Sequence, residues 1–139
     1  MGFVPKLLNE DFVKNRIVEW LGQQGYFATH LRMLSEHGAD IAARRRQGSN
    51  YFVIEVKGEP NQKFYYGFLT SAIGEIVQHM TNKLHCRYAI ALPVSFETIV
   101  KRRIPSVAAR KIGLEVLLVD SKGKVERLTW KDLKGSTSI

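Results

Sequence analysis

Three charged side chains in the first half of the chain have the types and the spacing of a metal-dependent hydrolytic site. Asp40 opens one predicted strand, and Glu55 and Lys57 are separated by Val56 on the next strand, over residues 51–57. Because successive side chains of a strand point to opposite faces, Glu55 and Lys57 share a face. Mg²⁺ usually takes one or two protein carboxylates, which Asp40 and Glu55 could supply together with the Val56 backbone carbonyl. Lys57 could then orient an attacking water and stabilise developing charge.

A hairpin between the two strands would bring these side chains together. Residues 47–50 between them have the glycine, serine and asparagine chemistry of a hairpin loop. If Arg46 pairs with Tyr51 across this loop, Asp40 lies opposite Lys57 and diagonal to the glutamate, and such diagonal neighbours are roughly 7–8 Å apart. A slip of one residue would turn Asp40 to the other face, so the prediction depends on the register. Glu-x-Lys on a strand is also typical of a solvated ion pair.

Apolar periodicity and helix-ending residues predict the elements around this hairpin. Asn9 is a good N-cap for a helix over residues 11–24, which Gly25 can end. Apolar residues recur at helical spacing over residues 69–84, and the apolar run at residues 88–92 is typical of a strand buried on both faces.

The second half of the chain continues this alternation of strand and helix. Residues 96–104 have a helical pattern, Pro105 interrupts it or begins a second short helix, and Gly113 closes the segment. Strands are predicted at residues 114–119 and near residues 125–129. Strand, helix and strand in this order imply a parallel crossover, and hence a mixed sheet with helices on its faces.

The order of these elements resembles that of the PD-(D/E)XK nuclease superfamily, which includes Mrr-type enzymes and archaeal Holliday-junction resolvases. The family pattern is an amphipathic helix, a Gly-aromatic step into a strand, a second strand that opens at a metal-binding Asp, a third strand with (D/E)-x-K, then a helix and another strand. The matching segments here are residues 11–24, Gly25-Tyr26-Phe27, Gly38-Ala39-Asp40-Ile41, Val53-Ile54-Glu55-Val56-Lys57-Gly58, residues 68–80 and residues 87–92. Ala39 stands where the family name has proline.

The resemblance implies a restriction endonuclease-like α/β fold, in which a mixed sheet is flanked by helices. The expected order is an αβββαβ core followed by an additional helix and C-terminal strands. The resemblance also makes Asp40 and Glu55 the ligands of Mg²⁺ or Mn²⁺ and Lys57 the catalytic lysine.

Relatives in this superfamily often place further polar residues near the site. Many have a glutamate on the first helix, for which Glu10 is the candidate here, with Glu19 as the alternative. Either one is also typical of a solvated residue or of a helix-dipole partner. Some relatives have a polar residue on the helix after the lysine strand, and Glu75 and Gln78 are the candidates for that position.

Length and composition predict one intracellular domain. The chain has 139 residues, of which 45% are hydrophobic, so residues 1–133 are expected to form a single domain, with residues 134–139 as a disordered tail. The lone cysteine, Cys86, excludes a disulfide within the chain. No apolar stretch approaches the roughly 20 residues that span a bilayer, so we expect a soluble, cytoplasmic chain.

Charge predicts a polyanionic partner. Lysines and arginines number 21 against 13 acidic residues, which gives a net charge of +8. The expected partner is DNA, with RNA as an alternative, and a homodimer is a candidate assembly. The candidate nucleic-acid-binding residues are Arg44, Arg45, Arg46, Lys63, Tyr65, Lys101, Arg102 and Arg103. Tyr65 is expected in a loop before the second helix, where it could stack on exposed bases or pack in the core.

The function predicted from these observations is a Mg²⁺-dependent endonuclease that hydrolyses DNA phosphodiester bonds. The alternative is a non-catalytic nucleic-acid-binding module on the same scaffold, and a weaker one is a structural subunit that pairs through its last strand. The sequence has no Walker loop, no G-x-G-x-x-G, no G-x-S-x-G and no paired Cys or His motif.

Overall fold

A single mixed sheet organises the chain. The computed structural model describes residues 7–31, 40–60, 64–81 and 85–135. The helices and strands are α1 (Glu10–Gln23), β1 (Tyr26–Leu31), β2 (Ile41–Arg45), β3 (Tyr51–Val56), α2 (Tyr65–Gln78), β4 (Cys86–Pro93), α3 (Glu97–Arg103), α4 (Ser106–Ile112), β5 (Leu114–Val119) and β6 (Val125–Leu128). The strands lie in the order β1-β2-β3-β4-β5-β6. The pairs β3–β4 and β4–β5 are parallel, and the other three are antiparallel.

The parallel pairs follow from the helices between their strands. Two parallel neighbours need a long crossover connection, which α2 provides between β3 and β4 and which α3 and α4 provide between β4 and β5. Pro105 separates α3 from α4, and Gly113 ends α4 in the left-handed region with φ +71°. The predicted mixed α/β sheet flanked by helices is therefore confirmed.

Each face of the sheet has its own apolar core. Helix α1 covers one face through the buried residues Val13, Ile17 and Leu21, which recur at intervals of four and so form one stripe. Helices α2, α3 and α4 cover the other face through Leu69, Ile76, Val100 and Ala109, among others. The central strands β4 and β5 are consequently buried on both sides, as their apolar sequences predict.

The hairpin register differs from the predicted one by two residues. Arg44, rather than Arg46, is paired with Tyr51. The Arg45 N–H donates to the Asn50 carbonyl at 2.9 Å and closes the hairpin over residues 46–49, so Arg46 lies in the loop and does not pair with Tyr51. Because the shift is an even number, every side chain keeps its predicted face. Continued by one residue, the observed register places Asp40 opposite Glu55 instead of Lys57.

Helix α2 begins earlier than its apolar spacing indicates. The predicted loop that contains Tyr65 is in fact the first turn of the helix, since α2 starts at that residue. Tyr65 packs edge-on against Phe96, with ring centroids 4.7 Å apart, and this contact ties the start of α2 to the turn after β4. The packing of this ring, and not a side-chain cap, therefore accounts for where α2 begins.

Some sequence predictions fall on residues that the structure does not describe. These are Gly38 and Ala39 of the Gly-Ala-Asp-Ile segment, Lys63, and the tail after Gly135. At the start of the expected tail, the Lys134 carbonyl accepts a hydrogen bond of 2.8 Å from the Ser106 N–H. None of the helices in the described ranges combines the length and hydropathy needed to cross a bilayer.

Candidate metal centre

The candidate site lies where β3 ends and the chain enters β2. Asp40 immediately precedes β2, and Glu55 is the second-last residue of β3. Both carboxyl groups are buried, with only 1% of each residue exposed. The backbone N–H of Val56 donates to Asp40 Oδ2 at 2.8 Å, which fixes the aspartate against the end of β3. Two acidic side chains are therefore held in the interior at one point.

A third carboxylate reaches this point from helix α2. One oxygen each of Asp40, Glu55 and Glu75 lies within 4.8 Å of the other two, the spacing of groups that can share an ion. Carboxylate oxygens are the ligands that Mg²⁺ and Mn²⁺ prefer. The chemistry of the donor set therefore fits a hard divalent cation.

Glu55 is the most perturbed member of the group. Its Oε1 lies 3.2 Å from His79 Nε2. Its other oxygen, Oε2, is buried and accepts no hydrogen bond from the residues that the structure describes. Burial, followed by the neighbouring carboxyl groups of Asp40 and Glu75, raises the pKa of Glu55 to about 9. A bound cation would counteract both causes of this raised pKa, because it neutralises the repulsion between the carboxylates and coordinates the buried oxygen of Glu55.

Lys57 and Glu75 form an ion pair at the rim of the site. Lys57 Nζ lies 3.2 Å from Glu75 Oε1, and the Ser71 hydroxyl donates to the same oxygen at 3.0 Å. Partial burial tends to raise the pKa of Glu75, but the hydrogen bond and charge of Lys57 outweigh it, so the pKa lies below its ordinary value. Glu75 is thus ionised under conditions in which Glu55 holds a proton.

The first helix is fixed next to the site through its own backbone. Gly58 follows Lys57 and is buried, and a Cβ on it would lie 2.7 Å from the Asn9 carbonyl carbon. The Glu59 N–H donates to the Leu8 carbonyl at 2.7 Å, and Glu59 Oε1 accepts from the Leu8 N–H at 3.0 Å. A glycine at position 58 therefore lets the start of α1 contact the segment that leaves the site.

The structure separates the predicted supporting residues. Glu75 belongs to the carboxylate group, whereas Glu10 is paired with Lys14 at 3.9 Å on the first turn of α1. Gln78 is exposed at the end of α2. Sequence reasoning missed His79, which follows Glu75 by four positions and so lies on the same side of α2. That spacing was the signal that could have identified it.

The predicted nucleic-acid-binding arginines of the hairpin lie at the far end of β2. The strand runs from Asp40 to exposed residues Arg44, Arg45 and Arg46, and five steps along a strand cover roughly 17 Å. A single ligand must therefore be long to contact both these cations and the carboxylates.

Three further predicted cations lie on α3, and Lys63 is outside the described residues. Lys101, Arg102 and Arg103 are exposed and, with Lys134, line a surface cavity of about 480 Å³. Tyr65 is only partly exposed, and its hydroxyl donates to Glu59 Oε2 at 3.3 Å, so this side chain holds the loop that follows Lys57.

Comparison with known proteins supports the fold. No protein-family model matches this sequence, and no curated protein matches it either. Among solved structures, the chain is similar to an XisH family protein from Nostoc punctiforme, with a TM-score of 0.54 and 15% identity over 82% of this chain and 95% of that chain. It is also similar to an fdxN element excision controlling factor protein from Anabaena variabilis, with a TM-score of 0.58 and 18% identity over the same shares. With its αβββαβ order, two further helices and two C-terminal strands, the chain has a restriction endonuclease-like α/β fold.

Proposed function

We propose that this protein is a metal-dependent nuclease of the PD-(D/E)XK type that hydrolyses DNA phosphodiester bonds. The observation that carries the proposal is the meeting of Asp40, Glu55 and Glu75 within 4.8 Å, two of them buried, with Lys57 on the rim. Buried like charges are unfavourable without a cation, so a fold that keeps them together indicates a function for them.

Each residue has a role that its contacts support. Asp40 and Glu55 would hold the ion, with the Val56 carbonyl as a third protein oxygen. Asp40 is oriented by the Val56 N–H through Oδ2. Glu55 is oriented by His79 through Oε1, and its buried Oε2, which has no hydrogen-bond partner among the described residues, would be available to coordinate the ion. A bound Mg²⁺ or Mn²⁺ would supply positive charge for the phosphate oxygens and lower the pKa of a water molecule.

Lys57 would place the attacking water and stabilise charge on the phosphate. Its ammonium is held at one position by Glu75, which is itself fixed by the Ser71 hydroxyl. An ammonium held in this way needs little reorganisation during the reaction, which is the main source of electrostatic catalysis. Glu75 thus positions the lysine, and its remaining oxygen can contribute to the ion.

Cleavage of end-labelled DNA tests the proposal. Single-stranded, duplex and forked DNA, with a matched RNA strand, are incubated with Mg²⁺, Mn²⁺ or chelator. We expect cleavage of DNA that requires metal and that falls about 100- to 1,000-fold in Asp40→Asn and Lys57→Met. Asp11→Asn, the same chemical change on the exposed first turn of α1, is the control and should cleave normally.

Binding measured on the same samples distinguishes the nuclease from a binding module. A nuclease variant should lose cleavage and keep its affinity for DNA, since the cations that contact phosphates are unchanged. If the unaltered protein binds DNA but cleaves none of the substrates with either metal, the scaffold is a non-catalytic module and the proposal is wrong.

A further inference from the structure

Two exposed aromatic rings lie beside an uncompensated group of cations at the start of α2. Phe64 and Tyr66 are 60% and 56% exposed, the values expected for rings that contact little of their own protein. Arg103 of α3 lies over the Tyr66 ring, with its guanidinium carbon 5.3 Å from the ring centre. We call Phe64, Tyr66, Arg103 and the adjoining Arg102 and Lys134 the aromatic–basic patch.

The positive charge of this patch favours the binding of an anionic ligand. Its cations Arg102, Arg103 and Lys134 form no ion pair with any residue in the described ranges, although the neighbouring Lys101 is 3.2 Å from Glu97. These side chains line the cavity of about 480 Å³ noted above, and within the described part of the chain no acidic side chain lines it. Arginines that lie beside exposed aromatic rings are typical of surfaces that bind the phosphates and the bases of one nucleic acid strand.

An open path along α2 connects the patch to the carboxylates. Between Tyr66 and Glu75 the exposed residues of the helix are all small: Gly67, Thr70, Ser71 and Gly74. A Cβ placed on either glycine would have no atom of the described residues within 4 Å, so nothing in that part of the chain covers this side of the helix. From Tyr66 to Glu75 the helix rises about 14 Å and makes two and a half turns, so a strand that joins the two residues crosses the exposed side obliquely and spans at least about four stacked nucleotides.

We propose that the aromatic–basic patch binds an unpaired segment of the DNA strand that is cut, at least about four nucleotides from the cleaved bond. Bases would stack on Phe64 and Tyr66, while Arg102, Arg103 and Lys134 contact phosphates. Exposed rings can stack only on bases that are out of a duplex, so the surface favours single-stranded or forked DNA over a continuous duplex. The position of the cut rests on the proposed nuclease activity, but the binding of unpaired DNA does not.

Fluorescence anisotropy with labelled DNA in chelator tests the binding. The probes are a single strand, the duplex made from it, and a fork that contains it. We expect Phe64→Ala and Tyr66→Ala each to weaken single-strand and fork binding about 5- to 100-fold and to leave duplex binding nearly unchanged. Phe27→Ala, which removes a 43% exposed ring on the edge strand β1, is the control and should leave all three affinities unchanged.

A base analogue tests the stacking directly. 2-Aminopurine placed at successive positions of the single strand should be quenched on binding, and the quenching should disappear in Tyr66→Ala. Equal losses on single strand and duplex, or no loss on either, would overturn the inference. If the patch variants instead change only the oligomeric state of the protein, measured as its molar mass in solution, the rings form a contact between copies of the chain and the inference is wrong.

The path along α2 can be blocked without harm to the fold. Gly74→Gln adds a side chain into free space and removes a glycine from a helix, so its melting temperature should not fall. Its affinity for the single strand should nevertheless fall at least about 5-fold, because it obstructs the strand beside the patch. Gly22→Gln makes the same change on α1, where a Cβ also has no atom within 4 Å, and should bind DNA normally.

The two proposals fail in different ways. A protein that binds single strands through Tyr66 but cleaves nothing would refute the nuclease and leave the patch intact. A protein that cleaves duplex and forked DNA equally well, with no effect of Gly74→Gln, would refute the patch and leave the nuclease intact.

Discussion

The raised pKa of Glu55 makes the stability of the metal-free protein depend on pH in a predictable direction. Burial, with the adjacent Asp40 and Glu75, raises this pKa from the ordinary 4.5 to about 9. A group whose pKa is higher in the folded state gives stability that is fully present below the unfolded value and is lost as pH rises to the folded value. The free energy of unfolding should therefore fall between about pH 5 and about pH 9. Glu55→Gln replaces the carboxyl with a neutral group of equal size and should remove this fall.

The size of the effect follows from the distance between the two pKa values. Each pH unit in this interval lowers the free energy of unfolding by about 1.4 kcal/mol, so the difference between Glu55→Gln and the unaltered protein reaches at most about 3 kcal/mol at pH 7. The other perturbed acids do not interfere. The pKa values of Glu75 and Glu115 are lowered, so the stability that they contribute is lost only below about pH 4.5.

Urea unfolding of both proteins in chelator, at intervals from about pH 5 to about pH 8.5, measures this difference. We expect equal stability at the acidic end and a growing advantage of Glu55→Gln toward the alkaline end. The comparison is repeated in a His79→Gln background because His79 contacts Glu55. Mg²⁺ should stabilise the unaltered protein more as pH rises, since the bound ion must displace the proton. A difference that does not change with pH would show that Glu55 is ionised in the metal-free protein and would refute the reasoning.

Three further predictions test other contacts of the fold and site. His79→Ala should weaken Mn²⁺ binding about 10-fold in an EPR titration, while His79→Gln, which can still donate a hydrogen bond to Glu55, should retain most of the affinity. Equal Mn²⁺ affinities of His79→Ala and the unaltered protein would show that His79 does not position Glu55. Gly58→Ala should lower the free energy of unfolding by about 1–3 kcal/mol, because the new Cβ would lie 2.7 Å from backbone at the start of α1. Gly22→Ala, in open space, should not lower it, and urea unfolding of both variants compares them. Arg87→Met removes the hydrogen bonds of 2.9 and 2.7 Å that the buried Glu115 accepts from Arg87, while Arg127 still donates to Glu115, so the variant should lose about 2 kcal/mol by the same assay, with no change in DNA cleavage.

Much of the fold could be predicted because local chemistry and tertiary structure agree. Asn9 caps α1 as predicted, with Oδ1 accepting from the Phe12 N–H at 2.8 Å. The apolar run around residues 88–92 became the central strand β4, because only a strand covered on both faces needs such a sequence. Pro105 and Gly113 delimit α4 through properties of their own backbones.

The predictions that failed depended on contacts that composition and periodicity do not fix. The hairpin closes through the Arg45 N–H on the Asn50 carbonyl, whereas the glycine, serine and asparagine content of residues 47–50 indicates a loop without fixing which residues pair across it. The start of α2 was set by Tyr65 packing on Phe96, which is more than thirty positions away. His79 was missed although it follows Glu75 by about one helical turn, because its contact with Glu55 depends on how α2 crosses the sheet.

The site itself shows why a motif of three residues could indicate so much. Its carboxylates come from three separate parts of the chain, and each is fixed through one oxygen: Asp40 Oδ2 by the Val56 N–H, Glu55 Oε1 by His79, and Glu75 Oε1 by Lys57 and Ser71. An isolated Glu-x-Lys on a strand has no such supports and remains a solvated ion pair. The spacing of the motif therefore identifies which side chains meet. The crossing of α2 over the sheet makes them meet out of water, and a bound cation is then the most favourable way to compensate their negative charge.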